Sequence, residues 1–202
     1  MKTKVFLIII YSFVCSTIAF ADEAKDPKDE QRRLFIEDFL DTYKAAYEKK
    51  EIKYISDFFS TDALIITETK QLIKNGAEIA PRSTKKRPYK LIVEDKKEYI
   101  ERLKQIFEQE IKIKLSVAGK RVVQHSLYPE IYGVSFLQMW TDQHGTDNLE
   151  SKMPGYIFLM IDFKENENQP IIHVRTWQPQ DNIKSPKDKY NLMDFRVYEF
   201  TE

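Results

Sequence analysis

Ile111-Lys112-Ile113-Lys114-Leu115-Ser116-Val117 is the stretch where the apolar period of this chain changes. Apolar residues take every second position and two lysines and a serine take the others, the pattern of a strand with one wet face. Upstream the dominant period is helical. Phe35, Ile36, Phe39, Leu40, Tyr43, Ala46 and Tyr47 recur at three- and four-residue steps and predict an amphipathic helix of about four turns beginning near Leu34. Ile52, Ile55, Phe58 and Phe59 predict a shorter second helix that stops at Ser60-Thr61-Asp62, and the β-branched run 63–67 predicts a strand. Asp95 with Glu98 three residues later reads as a capping box ahead of a third helix, whose apolar stripe is Tyr99, Ile100, Leu103, Ile106 and Phe107.

Downstream, further runs rich in aromatic and β-branched residues at 121–127, 131–141, 156–163 and 171–178 predict strands. Turn-like stretches at 128–130, 142–155 and 164–170 separate them, and the polar stretch 68–90, with Asn75-Gly76 and two prolines, predicts an irregular insertion. Helices first and neighbouring strands afterwards imply an α+β domain with a mostly antiparallel sheet, not alternating βαβ units.

The N-terminus carries a different message. Lys2 and Lys4 precede an uncharged run from Val5 to Phe20, which closes on Ala19-Phe20-Ala21 before Asp22. A positive start, an apolar stretch and a small-x-small site are the anatomy of a cleavable signal peptide over 1–21. A membrane anchor needs roughly 20 apolar residues, and this run is shorter and diluted by Ser12, Ser16 and Thr17. Val14 before Cys15, where lipidation favours a small residue, argues against a lipid anchor at that cysteine. Cleavage after Ala21 leaves 181 of the 202 residues, without cysteine, which excludes disulfides and thiol chemistry from the mature chain. The expected address is periplasmic or extracellular, with no transmembrane span after cleavage.

The mature chain keeps 30 of the 32 basic residues against 32 acidic ones, a net charge near −2 that implies no polyanionic partner. The basic cluster Arg82, Lys85, Lys86, Arg87 and Lys90 sits between prolines and reads as a solvated loop, not a nucleic-acid site. The charged segment 22–33 predicts a flexible tether or a frayed helix start, the domain proper spans 34–179, and the extension 180–202 carries Tyr190, Leu192, Met193, Phe195, Val197, Tyr198 and Phe200. Leaving so many apolar side chains in water costs about 25 cal/mol per Å², so the extension is expected to dock on the domain or on a partner.

Two amphipathic helices, the phrase Phe58-Phe59-Ser60-Thr61-Asp62-Ala63-Leu64-Ile65-Ile66, a third helix and a run of strands ending in Ile172-His173-Val174-Arg175-Thr176-Trp177-Gln178-Pro179 resemble the nuclear transport factor 2-like superfamily, with its SnoaL-like members. The ending is similar to that of exported members from Bacteroidetes-type bacteria. The resemblance implies an NTF2-like cone, in which a curved, mostly antiparallel sheet wraps three N-terminal helices and leaves a pocket at its wide end. It implies either isomerases and dehydratases with an Asp or His in that pocket, or non-catalytic binding and assembly domains.

The polar groups available to such a pocket are Asp162, His173 and Arg175. A carboxylate or imidazole in an apolar cavity has its pKa moved toward neutrality, which suits general acid-base work. Alternation puts Tyr156, Phe158, Met160 and Asp162 on one face of a strand and His173, Arg175 and Trp177 on one face of the next. Opposite His173, Asp162 would join His173 and Arg175 in a cluster; opposite Ile172, it would lie on the other side of the sheet. Tyr132, Phe136 and Trp140 alternate along another strand and are candidates to line an apolar pocket beside Trp177. The three histidines, His125, His144 and His173, have no metal-ligand spacing, and no phosphate loop, nucleophile elbow or zinc signature is present, so neither metal nor cofactor is expected.

These residues lead first to an exported, non-catalytic binding domain for a small apolar or amphipathic ligand, or for a partner protein of the cell envelope. Its contact residues would be Tyr132, Phe136, Trp140, Tyr156, His173, Arg175 and Trp177. The alternative is a SnoaL-type isomerase or dehydratase using Asp162 and His173 as an acid-base pair. A third reading is an assembly domain that forms a homodimer through the outer face of its sheet.

Overall fold

The computed structural model describes residues 27–70, 89–109, 111–144, 149–183 and 192. Residues 1–21, expected to be a signal peptide, the middle of the insertion with most of its basic cluster, and most of the C-terminal extension lie outside the described residues.

Three helices precede most of the sheet: α1 (Pro27–Glu48), α2 (Ile52–Asp57) and α3 (Lys96–Phe107). The strands are β1 (Phe59–Lys70), β2 (Tyr89–Glu94), β3 (Ile111–Gln124), β4 (Ile131–His144), β5 (Leu149–Asp162) and β6 (Ile171–Pro179), followed by a 3-10 turn at Gln180–Asn182. They form one sheet in the order β2-β1-β6-β5-β4-β3. All neighbours are antiparallel except β1 and β6. The curved sheet takes the helices on one face, the α+β cone arrangement expected from the order of the elements.

The helix α1 starts at Pro27, where a missing N–H costs nothing, with Asp29 and Glu30 complementing the dipole of its first turn. It therefore takes in residues 27–33 of the segment expected to be a flexible tether or a frayed helix start, and the reason is electrostatic. Arg32, almost fully buried, donates from Nε to Glu167 Oε2 at 2.8 Å and from Nη1 to the carbonyl of Pro129 at 2.9 Å. Arg33 pairs with Asp29 and donates to the Val122 carbonyl. Charges that read as a solvated run are thus the pins that hold α1 against the turns at one end of the sheet.

The other end of α1 closes unusually. Lys50 adopts φ 59° where glycine is the common choice, with Lys50 N–H donating to Tyr47 and Glu51 N–H to Ala46, the paired bonds of a Schellman motif. The left-handed backbone costs a lysine about 1 kcal/mol. Its side chain offsets that by donating from Nζ to the carbonyls of Phe107 and Gln109 at 3.0 Å, which caps α3. The α3 start is the capping box read from the sequence: Glu98 N–H donates to Asp95 Oδ1 at 2.8 Å and Asp95 N–H to Glu98 Oε2 at 3.1 Å.

Two strand expectations change. The run 111–117 and the first part of the run 121–127, up to Gln124, belong to a single strand, β3, in which Gly119 at φ 62° marks a bulge between the pairs Ala118–Leu137 and Arg121–Ser135. The turn expected over 142–155 is mostly strand: β4 and β5 stay in register from Ile131–Asp162 to His144–Leu149. Once a long hairpin ladder is set, polar residues continue it because their side chains need only one wet face. The short strand β2, within reach of the insertion, had no sequence signal strong enough to predict it.

The inner face carries the core. Tyr132, Val134 and Phe136 of β4 and Ile157, Leu159 and Ile161 of β5 are essentially inaccessible, as are Ile36, Tyr43 and Tyr47 of α1. Against them, on β6, the Trp177 indole lies over Gly155: a Cβ built on that glycine would stand 2.4 Å from Trp177 Nε1. Gly155→Ala is therefore expected to displace the indole and destabilise the domain by about 1–3 kcal/mol, as overpacking typically does. The urea midpoint, followed by tryptophan fluorescence, should fall; an unchanged midpoint would show that Trp177 does not rest on this glycine.

Candidate functional site

At the centre of the inner face stands Arg175. It pairs with Leu159 on one side and Ile65 on the other, both of them core residues. Arg175 is only 6% exposed; its guanidinium donates from Nε to the Tyr43 hydroxyl at 3.2 Å and lies 5.1 Å from the centre of the Tyr99 ring. Tyr47 completes the enclosure, its hydroxyl 2.6 Å from that of Tyr99 and its ring 4.6 Å from that of Tyr43.

Of the two buried arginines among the described residues, Arg32 and Arg175, Arg175 is the one without a counter-ion there. Arg32 pairs with Glu167, Arg33 with Asp29 and Arg102 with Glu94. Among the described residues Arg175 forms no ion pair, and its one hydrogen bond leaves Nη1 and Nη2 unengaged. Burial penalises the guanidinium, but the oxygens of Tyr43, Tyr99 and Tyr47 outweigh that penalty and hold its pKa above the ordinary arginine value. Burial pushes the hydroxyl of Tyr99 up to about 12 and that of Tyr47 well above the usual tyrosine value. The enclosure at neutral pH is therefore one fixed positive charge surrounded by neutral rings.

Further polar groups share this face. Thr67 follows Ile65 at strand spacing, and Gln138 stands between Phe136 and Trp140. Thr67 Oγ1 and Gln138 Oε1 are buried without a hydrogen-bond partner among the described residues. Buried polar atoms are ordinarily satisfied, so the face carries more hydrogen-bonding capacity than its own side chains use. Trp140 and Trp177 pack on the core while remaining partly exposed, and Trp140 meets Tyr47 edge-on at 6.3 Å.

The face expected to carry His173, Arg175 and Trp177 together is split. Met160 pairs with Val174 and Ile161 with Ile172, so His173 is an extra residue in β6. The bulge shifts the alternation by one, and Ile172 and Arg175, three positions apart, both face the helices. Asp162 stands opposite Ile171, between the core residues Ile161 and Phe163, and so points outward. His173 joins it there, Nε2 lying 3.2 Å from Asp162 Oδ2, with the imidazole 40% exposed. The Asp-His pair exists, but on the opposite side of the sheet from Arg175.

Of the other expected contact residues, Phe136 and Trp140 lie around the Arg175 enclosure, with Phe136 6.4 Å from Tyr43. Tyr132 shares their face at the far end, where its hydroxyl donates to Asp29 at 2.9 Å. Tyr156 belongs to the outward set with Phe158, Met160 and Asp162. Tyr43, Tyr47, Tyr99, Thr67 and Gln138 were not singled out in the sequence. The tyrosines fall on helical apolar stripes, where they read as core, and only their three hydroxyls on stripes otherwise filled by Ile, Leu and Phe set them apart. Among the described residues, no group of three or more His, Cys, Asp or Glu side chains could hold a metal ion, and no helix is long and apolar enough to cross a membrane.

No family model matches the sequence, and no curated protein is similar enough in sequence to count as a relative. Solved structures do share the fold. A candidate scytalone dehydratase from Novosphingobium aromaticivorans superposes with a TM-score of 0.54 over 75% of this chain and 86% of that one, at 10% identity. The beta subunit of benzoate 1,2-dioxygenase from Burkholderia mallei gives 0.52 over 73% and 89%, at 14% identity. ActVI-ORFA from Streptomyces coelicolor gives 0.53 over 74% and 97%, at 7% identity. Likeness at such identities establishes architecture alone: the chain has the fold of the nuclear transport factor 2-like superfamily, as the order of its elements implied.

The buried tyrosines give the site a pH signature. In the unfolded chain tyrosine loses its proton near pH 10, whereas Tyr99 keeps its own until about 12. Between those values the unfolded state binds fewer protons, so stability is fully present below pH 10 and falls as pH rises toward 12. Urea unfolding from pH 8 to 12 should show that fall, and Tyr99→Phe should flatten it; a variant as alkali-sensitive as the wild type would contradict the enclosure.

Proposed function

We propose that this domain is a non-catalytic binding module that takes a small amphipathic ligand with an anionic head into the cone. Arg175 meets the head, and the rings of Trp140, Trp177, Tyr47 and Tyr99 meet the apolar body. The observation that carries this reading is a buried guanidinium with no counter-ion among the described residues. A charge taken out of water is costly unless paired, and the described groups that meet the Arg175 guanidinium are neutral tyrosine side chains. A carboxylate on a short apolar chain supplies the missing charge in a geometry that the unengaged Nη groups fit. The signal-like residues 1–21 support placing this binding outside the cytoplasm. The neighbours in fold include a candidate dehydratase and a dioxygenase subunit, so they are compatible with binding without choosing a ligand.

The isomerase or dehydratase reading is favoured by one contact, that of His173 with Asp162. It puts the acid-base pair on the outward side, with the imidazole 40% exposed, away from the face that the helices enclose. The Arg175 side supplies enclosure and charge, and its ionisable neighbours are tyrosines held neutral, poorly matched to proton transfer near pH 7.

The test uses protein recovered from the envelope fraction of producing cells, its mature N-terminus checked by mass as Asp22, titrated with octanoate and with octanol by calorimetry and tryptophan quenching. Octanoate should bind at least tenfold more tightly than octanol, about 1.4 kcal/mol. Arg175→Met should abolish that preference, and Arg175→Lys, which keeps the charge, should retain part of it. Equal affinity of the wild type for both probes would overturn the reading.

A further inference from the structure

The rim of the sheet formed by β3 is held by α1 along part of its length and opens into a cleft along the rest. As the last strand in the sheet order, β3 has no strand on its far side among the described residues. Beyond the Gly119 bulge, Arg33 of α1 donates to the Val122 carbonyl and Glu37 pairs with Lys120. Before the bulge, the Leu115 N–H donates to Glu48 Oε1 at 2.8 Å, which identifies the backbone groups that face the rim. In an antiparallel strand the N–H and C=O of one residue point the same way, and every second residue repeats them. The register against β4 is unbroken from Ile111 to Ala118, so Ile113 and Val117 present their backbone groups to the rim as Leu115 does.

Here the rim lines a cleft of about 600 Å³, bordered by lysines on both sides of the sheet. Lys44 and Lys49 come from the end of α1, on the face that the helices take, and α1 itself stops at Glu48. Lys112 and Lys114 alternate with the core residues Ile113 and Leu115, and so stand exposed on the opposite face. Among the described residues none of these four ammoniums has an ion pair, and the carboxylate in the cleft, that of Glu48, is engaged by the Leu115 backbone. Lysines on an edge strand ordinarily keep copies of a protein from pairing edge to edge. The charge that repels a basic strand attracts an acidic one, and Glu48 is already an example of a carboxylate seated on this rim.

We propose that the β3 rim at 111–117 is a docking site for an acidic, extended segment of a partner protein, which adds to the sheet as a further strand. Its backbone pairs with Ile113 and Val117 and takes over the Leu115 N–H from Glu48. An added strand turns successive side chains to opposite faces. Lysines flank both faces here, so the segment carries acids at neighbouring positions and not only at alternate ones. Main-chain bonds supply the affinity and the lysines choose the sequence. Displacing Glu48 adds to that choice, since a neutral strand gains no ion pair in exchange for the bond it breaks. The rim is a separate place from the Arg175 enclosure, so this inference does not rest on the ligand proposed for the cone.

The test titrates the nitrogen-15-labelled mature chain with a capped peptide of about nine residues, long enough to span the rim, in which pairs of glutamates are separated by single valines. The amides of 111–117 should shift most and saturably, with Leu115 among them. The same peptide N-methylated throughout its backbone keeps the charge but cannot pair as a strand, and should bind at least tenfold more weakly. Lys112→Glu with Lys114→Glu, both exposed, should lose a similar factor. Glu48→Gln removes the like charge and should tighten binding several-fold, a gain that unfolding cannot produce. No saturable shift along 111–117, equal binding of the N-methylated peptide, or an affinity indifferent to both sets of variants would overturn the added strand and leave the lysines as a solvated guard of the edge.

Discussion

A positive charge enclosed by tyrosine rings is the constraint around which the inner half of this molecule is arranged. Arg175 reaches its position because β6 gains one residue at His173, and without that bulge the guanidinium would point away from the helices. The hydroxyl of Tyr43 and the rings of Tyr47 and Tyr99 come from two separate helices, α1 and α3. The capping box at Asp95 and the Lys50 bonds to the end of α3 therefore act on the site as well as on the helices that carry them, since they set where Tyr99 stands relative to Tyr47. Tyr99 itself lies between two arginines, and only one of them, Arg102, is neutralised by a carboxylate.

The architecture was legible because it depends on periods. Apolar steps of three and four residues before Phe107 and of two after Ile111 gave α+β with the helices first, and the Asp95–Glu98 pair marked a helix start that the backbone bonds reproduce. What escaped is set by contacts distant in sequence. The first turns of α1 look like a solvated charge run until Glu167 and the Pro129 carbonyl, 135 and 97 residues away, are brought to Arg32. The polar continuation of β4 into β5 looks like a turn because its strand character comes from the partner across the hairpin.

The site was legible in part, for a related reason. Alternation put Phe136 and Trp140 on one face of a strand, and Arg175 with Trp177 on one face of another, without saying which face turns inward. Strict alternation also put His173 beside Arg175, and a one-residue bulge, which has no composition signal in Ile171-Ile172-His173-Val174, separates them. The pairing of His173 with Asp162 survives because the same bulge turns the imidazole outward to meet it. Tyr43, Tyr47 and Tyr99 escaped because a tyrosine on an apolar stripe differs from a phenylalanine by one oxygen, whose role depends on what the sheet brings to it.

Whether Arg175 is charged and sheltered inside the cone is decided most directly by nitrogen-15 NMR of arginine side chains in the intact mature protein. The Arg175 Nε–H should give a resonance protected from solvent exchange, shifted by the Tyr99 ring, unchanged between pH 6 and 9, and perturbed by Tyr43→Phe. An Arg175 signal that exchanges as fast as those of exposed arginines and ignores Tyr43→Phe would contradict the account.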